Sequence, residues 1–251
     1  MSLSIFALSA GANAETVTVA VASNFAETAS ELAREFEAST GHDVLLIRGS
    51  SGKLFAQIIN GAPIDVFLSA DVELPRQIGL RGFAEPDSHF TYAFGELVIW
   101  SRDPAFVGKD CLQSLSSDRA RKIAIANPLL APYGVAAKQF LEDAGLWRAL
   151  QPQLVYGENI SQTLQFVATG NANIAFVAQS QLKSGRLPAA TCMTTLSELE
   201  HAPIEQAAVR LSRADNNKAA LAFIGFLVTD AATARIRSDG YRLPKDRGLQ
   251  R

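Results

Sequence analysis

The stretch Val17-Thr18-Val19-Ala20-Val21-Ala22-Ser23-Asn24-Phe25 starts as a largely apolar run, broken only by Thr18, and passes through the small polar pair Ser23-Asn24. A run this short and this rich in valine reads as a buried strand, since it lacks the alternation of a strand with one wet face. Directly after it, Phe25, Ala29, Leu32, Ala33 and Phe36 fall on one face of a helix spanning about residues 26–39. Ser23 or Asn24 is placed to cap that helix, Asn24 with Glu27 resembles a capping box, and Gly41 supplies the stop. A buried strand feeding an amphipathic helix is the building unit of α/β proteins with largely parallel sheets.

The same alternation continues along the chain. Residues 44–47 form a second strand, and Gly49-Ser50-Ser51-Gly52 turns into a helix over about 54–60. Residues 66–68 give a third strand, followed by a short helix with Pro75 near its start, and the apolar run 92–100 reads as one strand leaving this unit. A second unit repeats the alternation, with a strand at 123–126, a helix at 134–144, a short strand around Val155, a helix capped by Asn159 or Ser161 and ending near Thr169, and a strand at 174–177. Residues 204–211 lead back to the first unit, where helices over 218–229 and 231–238 close the chain. No repeat of solenoid length is present. The layout predicts an α/β protein of two lobes with mixed, largely parallel sheets flanked by helices. Residues 15–94 with 206–251 form one lobe and 95–205 the other. A ligand cleft lies between them, beyond the carboxyl ends of the strands.

With 251 residues, 48% hydrophobic and 19% charged, the chain can bury a sizeable core. Its net charge of −2 lacks the positive excess needed to hold nucleic acid or an acidic membrane by general basicity. Residues 1–14 form a small apolar run ending Ala12-Asn13-Ala14, which fits the end of an export signal cleaved after Ala14, although the basic leading segment is missing. No later stretch reaches the roughly 20 apolar residues needed to span a bilayer. Cys111 and Cys192 stand outside any C-x-x-C pair. Export would permit a bridge between them, and two buried thiols is the alternative.

Four stretches place small or amide residues just ahead of a helix: Ala22-Ser23-Asn24-Phe25, Gly49-Ser50-Ser51-Gly52, Ala131-Pro132-Tyr133-Gly134 and Glu158-Asn159-Ile160-Ser161. First-turn peptide N–H groups have no partner inside the helix and carry partial positive charge, so they hold an oxyanion without lysine or arginine. Each Ser or Asn taken alone is an ordinary helix cap. The recurrence of the device on four loops is what points to a ligand.

These residues, with Asn60-Gly61-Ala62-Pro63, Asp65-Val66-Phe67-Leu68-Ser69-Ala70-Asp71 and Asn127-Pro128 in this order and spacing, resemble the periplasmic molybdate-binding proteins that deliver oxyanions to an ABC transporter. The resemblance runs from about Val17 to Leu243. It implies a type II periplasmic binding fold that closes on its ligand, molybdate or tungstate, and a membrane-embedded permease as partner. Carried across residue by residue, it implies that Ser23 gives its hydroxyl and N–H, Ser51 its hydroxyl and N–H, and Ile160 its N–H, with Tyr133 contributing from the third turn. Asn24 would stand in for a second tyrosine found in one branch of the family. No catalytic residue, resident cofactor, bound metal or nucleic-acid partner is expected, and the protein is expected to act as a monomer in the periplasm.

Other readings have weaker support. Gly49-Ser50-Ser51-Gly52-Lys53 lacks the earlier glycine of a Walker motif, and Leu54 stands where Ser or Thr would bind magnesium. His42, His89 and His201 are far apart without carboxylates at ligand spacing. Neither G-x-S-x-G nor H-E-x-x-H occurs. Asp65 and Asp71 would repel a dianion and are expected to cap or brace. Sulfate, phosphate or ferric iron remain alternative ligands, iron being disfavoured because Tyr92, Tyr133, Tyr156 and Tyr241 are scattered in the sequence. An enzyme or effector domain on the same scaffold is the third class of function.

Overall fold

The computed structural model describes residues 14–183 and 187–244, so the expected export segment lies outside the described residues except for Ala14. The first lobe opens with β1 (Thr16–Ala22), a 3-10 turn (Ser23–Phe25), α1 (Ala26–Thr40), β2 (Asp43–Gly49), α2 (Ser51–Ile59), β3 (Val66–Leu68), α3 (Glu73–Leu80) and β4 (Phe90–Gly95). The second holds β5 (Leu97–Ser101), α4 (Cys111–Ser114), β6 (Ile123–Ala126), α5 (Pro132–Asp143), α6 (Trp147–Leu150), β7 (Leu154–Gly157), α7 (Ile160–Ala168), β8 (Ile174–Ala178), α8 (Gln179–Leu182) and β9 (Cys192–Thr195). The chain then returns through β10 (Ile204–Arg210), α9 (Lys218–Leu227) and α10 (Asp230–Ser238) to the first lobe.

Each lobe is built on one five-stranded sheet, in the order β2-β1-β3-β10-β4 and β7-β6-β8-β5-β9. β1 pairs in parallel with β2 and β3, while β10 runs antiparallel to β3 and β4. The alternation of β1 explains why both faces are covered. Val17, Val19 and Val21 point into a core shared with Phe25, Leu32 and Phe36 of the α1 side and Phe223 of α9, whereas Ala20 faces Leu54, Ile58 and Ile78 of α2 and α3. The second sheet repeats this. Ile99, Ile123 and Phe176 pack against Phe140 of α5 on one face, and Val98, Ala124 and Val177 pack against Val167 of α7 on the other.

Three details differ from expectation. The run 92–100 is two strands. Gly95 pairs with Ile204 in the first sheet and Leu97 with Ala178 in the second, so the chain changes sheets across Glu96. Both halves are buried, and an apolar pattern alone does not mark the change. α1 is not capped by Asn24, because Phe25 occupies the N-cap position without a side-chain cap and Asn24 lies in the preceding 3-10 turn. Finally, α2 and α5 begin earlier than the apolar periodicity predicts, at Ser51 and Pro132. Proline suits a first helical position, having no N–H to leave unpaired. These earlier starts put Ser51 and Tyr133 in the first turns.

Cys111 and Cys192 are bonded, with α-carbons 5.3 Å apart, and tie α4 to β9, a strand the sequence pattern does not reveal. The bridge closes a loop of sequence separation 81. Reduction is expected to cost on the order of 4 kcal/mol by the loop-entropy argument, lowering the melting temperature by about 10 °C, which thermal unfolding with and without a thiol reductant measures.

Candidate functional site

The four turns meet where the lobes face each other. Ser161 Oγ, at the start of α7, donates to the Ser23 carbonyl at 3.2 Å, joining the fourth turn to the first. Gly52 N donates to Leu130 O at 2.9 Å, joining the second turn to the loop ahead of the third. Lys53 and Glu158 form a half-exposed ion pair of 3.0 Å between the second and fourth. Asn24, Ser51, Tyr133 and Ile160 are all buried, at 5%, 1%, 2% and 2% exposure, and Ser23 is part-buried.

Capping separates the two possible uses of these residues. Ala22 and Ala131, at the N-cap positions of the first and third turns, have no side chain able to cap. Ser50, at the N-cap of α2, makes no cap bond, and its buried hydroxyl has no partner. Asn159 alone behaves as an ordinary cap: its Oδ1 accepts from Ser161 N and Gln162 N at 3.0 Å each, which leaves the Ile160 N–H outside the cap. Ser51 Oγ accepts from Ala70 N at 3.0 Å, so the hydroxyl proton stays available for donation. The gap is thus bordered by peptide N–H and hydroxyl donors that no side chain answers. Such a surface accepts an anion whose atoms only receive hydrogen bonds.

Asn24 is used differently from expectation. Its amide donates to Gln206 Oε1 at 2.8 Å and to Tyr241 Oη at 3.2 Å, which engages both amide protons. Its carbonyl accepts from Tyr241 Oη at 2.8 Å and Ser180 Oγ at 3.2 Å. Only the Asn24 backbone N–H is left to face a ligand. Tyr92 Oη also donates to Gln206 Oε1, at 3.1 Å. Tyr92, Tyr133 and Tyr241, scattered in sequence, are therefore gathered around Gln206 and Asn24. Burial raises all three phenol pKa values, those of Tyr92 and Tyr133 far above the ordinary value. The cluster is neutral. Gln206 escaped sequence reasoning, and its only signal was an uncharged amide between Glu205 and the apolar run Ala207-Ala208-Val209 of β10.

Asp65 and Asp71 both brace the first lobe. Asp65 accepts from Thr18 N at 2.8 Å and pairs with Arg213 at 2.6 Å. Among the described residues, no group of three or more His, Cys, Asp and Glu could hold a metal ion.

A family model described as bacterial extracellular solute-binding protein matches residues 17–242. The chain is 42% identical over 237 residues to the molybdate-binding protein ModA of Azotobacter vinelandii, covering 94% of this chain and 93% of that one. It is equally 42% identical to ModA of Rhodobacter capsulatus, covering 94% and 92%. The solved structure of the Azotobacter vinelandii periplasmic molybdate-binding protein superposes with a TM-score of 0.84 at 38% identity, over 91% of this chain and 99% of that one.

Asp71 lines a cleft of about 510 Å³ together with Leu130, Ala131 and Pro132 of the second lobe. Burial there, aided by nearby Glu73, lifts its pKa from 3.8 to about 6, against the lowering effect of the bond it accepts from Leu74 N. Because the folded-state value is the higher one, the folded chain holds this proton more tightly than the unfolded chain. Stability from this group therefore falls as pH rises from about 4 to 6 and is level above. Asp71→Asn keeps an acceptor for Leu74 N and is expected to add on the order of 1 to 3 kcal/mol at pH 7.5 and nothing near pH 3.5, as urea melts across that range report.

Proposed function

Because the chain belongs to the bacterial extracellular solute-binding protein family, we propose that it captures molybdate in the periplasm, takes tungstate in the same site, and passes its cargo as a monomer to a membrane-embedded ABC permease. The observation that carries this reading is the convergence of helix starts lacking side-chain caps on one gap between the lobes. In this reading residues 15–94 with 206–251 move as one body and 95–205 as the other, and the anion joins them. Ser23 and Ser51 each offer a hydroxyl and an N–H. Asn24, Tyr133 and Ile160 offer N–H groups, so Asn24 acts through its backbone and not as a substitute side chain. The anion is bound and released unchanged.

The donor set favours a fully deprotonated tetrahedral dianion. Each hydrogen bond to a charged group contributes about 1.5 to 3 kcal/mol and each helix terminus about 0.3 to 2, against the large cost of stripping water from a dianion. Phosphate carries a proton at neutral pH and would find no acceptor for it. Sulfate has the right charge but shorter bonds, so in a gap of fixed width several donors would go unmet. Ferric iron would require phenolates, whereas burial keeps the gathered tyrosines protonated.

Calorimetric titration with molybdate, tungstate, sulfate and phosphate tests the proposal. Tight binding of the first two, with little or no heat from the others, is expected, and an equal response to sulfate would refute it. Ser51→Ala is expected to weaken molybdate by about 1 to 3 kcal/mol, the cost of one charge-assisted bond.

A further inference from the structure

The side chain of Tyr133 does something its backbone does not. It starts from the first turn of α5 in the second lobe and ends against Gly95 and Gln206 of the first, beside the point where the chain changes sheets. A Cβ placed on Gly95 would lie 2.0 Å from Tyr133 Oη, 2.8 Å from its Cζ and 2.9 Å from Gln206 Nε2. Only glycine leaves room for the phenol at this depth.

Both ends of this contact are rigid. On the first lobe, Gly95 is paired to Ile204, and its neighbour Phe94 exchanges backbone hydrogen bonds of 2.7 and 3.0 Å with Arg242. Gln206 is held through its oxygen by Asn24 and Tyr92, which fixes the direction of its amide nitrogen. On the second lobe, the start of α5 is pressed flat on the end of β6: a Cβ on Gly134 would sit 2.1 Å from Ala126 O. The ring cannot retreat without dragging the helix start with it.

Nor is this contact fastened by a close hydrogen bond. Tyr133 Oη and Gln206 Nε2 are both buried, and neither has a hydrogen-bond partner. The bonds that draw the lobes together are made by other groups, at Gly52 N–Leu130 O, Ser161 Oγ–Ser23 O, Ser180 Oγ–Asn24 O, Lys53–Glu158 and Arg242–Glu198. A contact that is stiff on both sides and makes no hydrogen bond of normal length acts chiefly to limit approach.

We propose that the Tyr133 phenol, seated on Gly95 and Gln206, is a spacer that fixes the gap between the lobes and thereby sets the size of tetrahedral oxyanion the site accepts. This rests on reading the gap as the oxyanion site. Tyr133 is then a specificity-determining residue twice over: its N–H meets the anion, and the length of its side chain decides how far that N–H can advance towards Ser23 and Ser51. A smaller anion cannot be followed inward, because the phenol meets the Gly95 backbone first. Gly95 and Gln206 are positioning residues that act through Tyr133.

The test compares molybdate and sulfate affinities by competition calorimetry in the wild type, Tyr133→Phe, Gly95→Ala and the double variant, with circular dichroism to check folding. Shortening the spacer by one oxygen in Tyr133→Phe should narrow the molybdate-to-sulfate ratio about tenfold, mainly by strengthening sulfate. Gly95→Ala should prop the lobes apart, weaken molybdate at least about tenfold and leave a larger radius of gyration in solution scattering with molybdate present. Adding Tyr133→Phe to Gly95→Ala should restore part of that affinity, which a purely local packing defect would not. A folded Tyr133→Phe protein with an unchanged ratio, or with both anions weakened alike, would overturn the spacer while leaving the functional reading intact. A wild type that takes molybdate and sulfate equally would overturn both.

Discussion

Peptide N–H groups brought together from separate helix starts, with no carbonyl or side chain to accept from them, are costly in a buried gap. A fold that gathers several of them gains from closing only if something else supplies the acceptors. Here Ala22 and Ala131 occupy cap positions where a serine or aspartate would have answered the free donors, and Ser50 occupies one without using its hydroxyl. By contrast, Asn159 caps its helix through Ser161 N and Gln162 N and leaves only the Ile160 amide of the first turn outside the cap. The pattern withholds acceptors selectively, and in the proposed reading this links the stability of the closed form to occupancy by an anion.

The topology provides the geometry that this linkage requires. Helix starts lie at the carboxyl ends of parallel strands, so two sheets set with those ends facing each other aim their free N–H groups at a common space. β1 leads into the first turn, β2 into the second, β6 through a loop into the third and β7 into the fourth. The chain crosses between sheets at Glu96 and returns along the segment before β10. The lobes are thus joined covalently by two connections. Neither passes through the four turns.

Much of this was readable from the residues because it is local. A strand, a small-residue turn and an amphipathic helix occupy neighbouring positions, so the four turns could be located before any contact was known, and with them the residues proposed as donors. What could not be read depends on chain segments far apart. Asn24 looked like a cap because Glu27 stands three residues on, yet its amide is consumed by Gln206 and Tyr241, whose separations in sequence are 182 and 217. The gathering of Tyr92, Tyr133 and Tyr241 follows from β4, α5 and the segment after α10 meeting at the crossover. No periodicity records that meeting. The break of 92–100 into two strands was marked only by Gly95-Glu96, and buried apolar residues on both sides let that brief interruption pass as one continuous strand.

Neutrality of the donor set has a further consequence for selection. A pocket that bound through lysine or arginine would attract any anion over a long range and would fall back on charge, which sulfate and molybdate share. Backbone dipoles act only over about the first helical turn, so an anion must sit at the right distance from each of them to be held. Discrimination then passes from charge to length, and a length is meaningful only if the walls of the site do not yield. That makes the stiffness of the crossover part of the chemistry. The Phe94–Arg242 backbone pair, the doubly held Gln206 oxygen and the close seat of Gly134 on β6 contribute nothing to the anion directly. In the proposed reading they hold the donors where a difference in bond length can be felt.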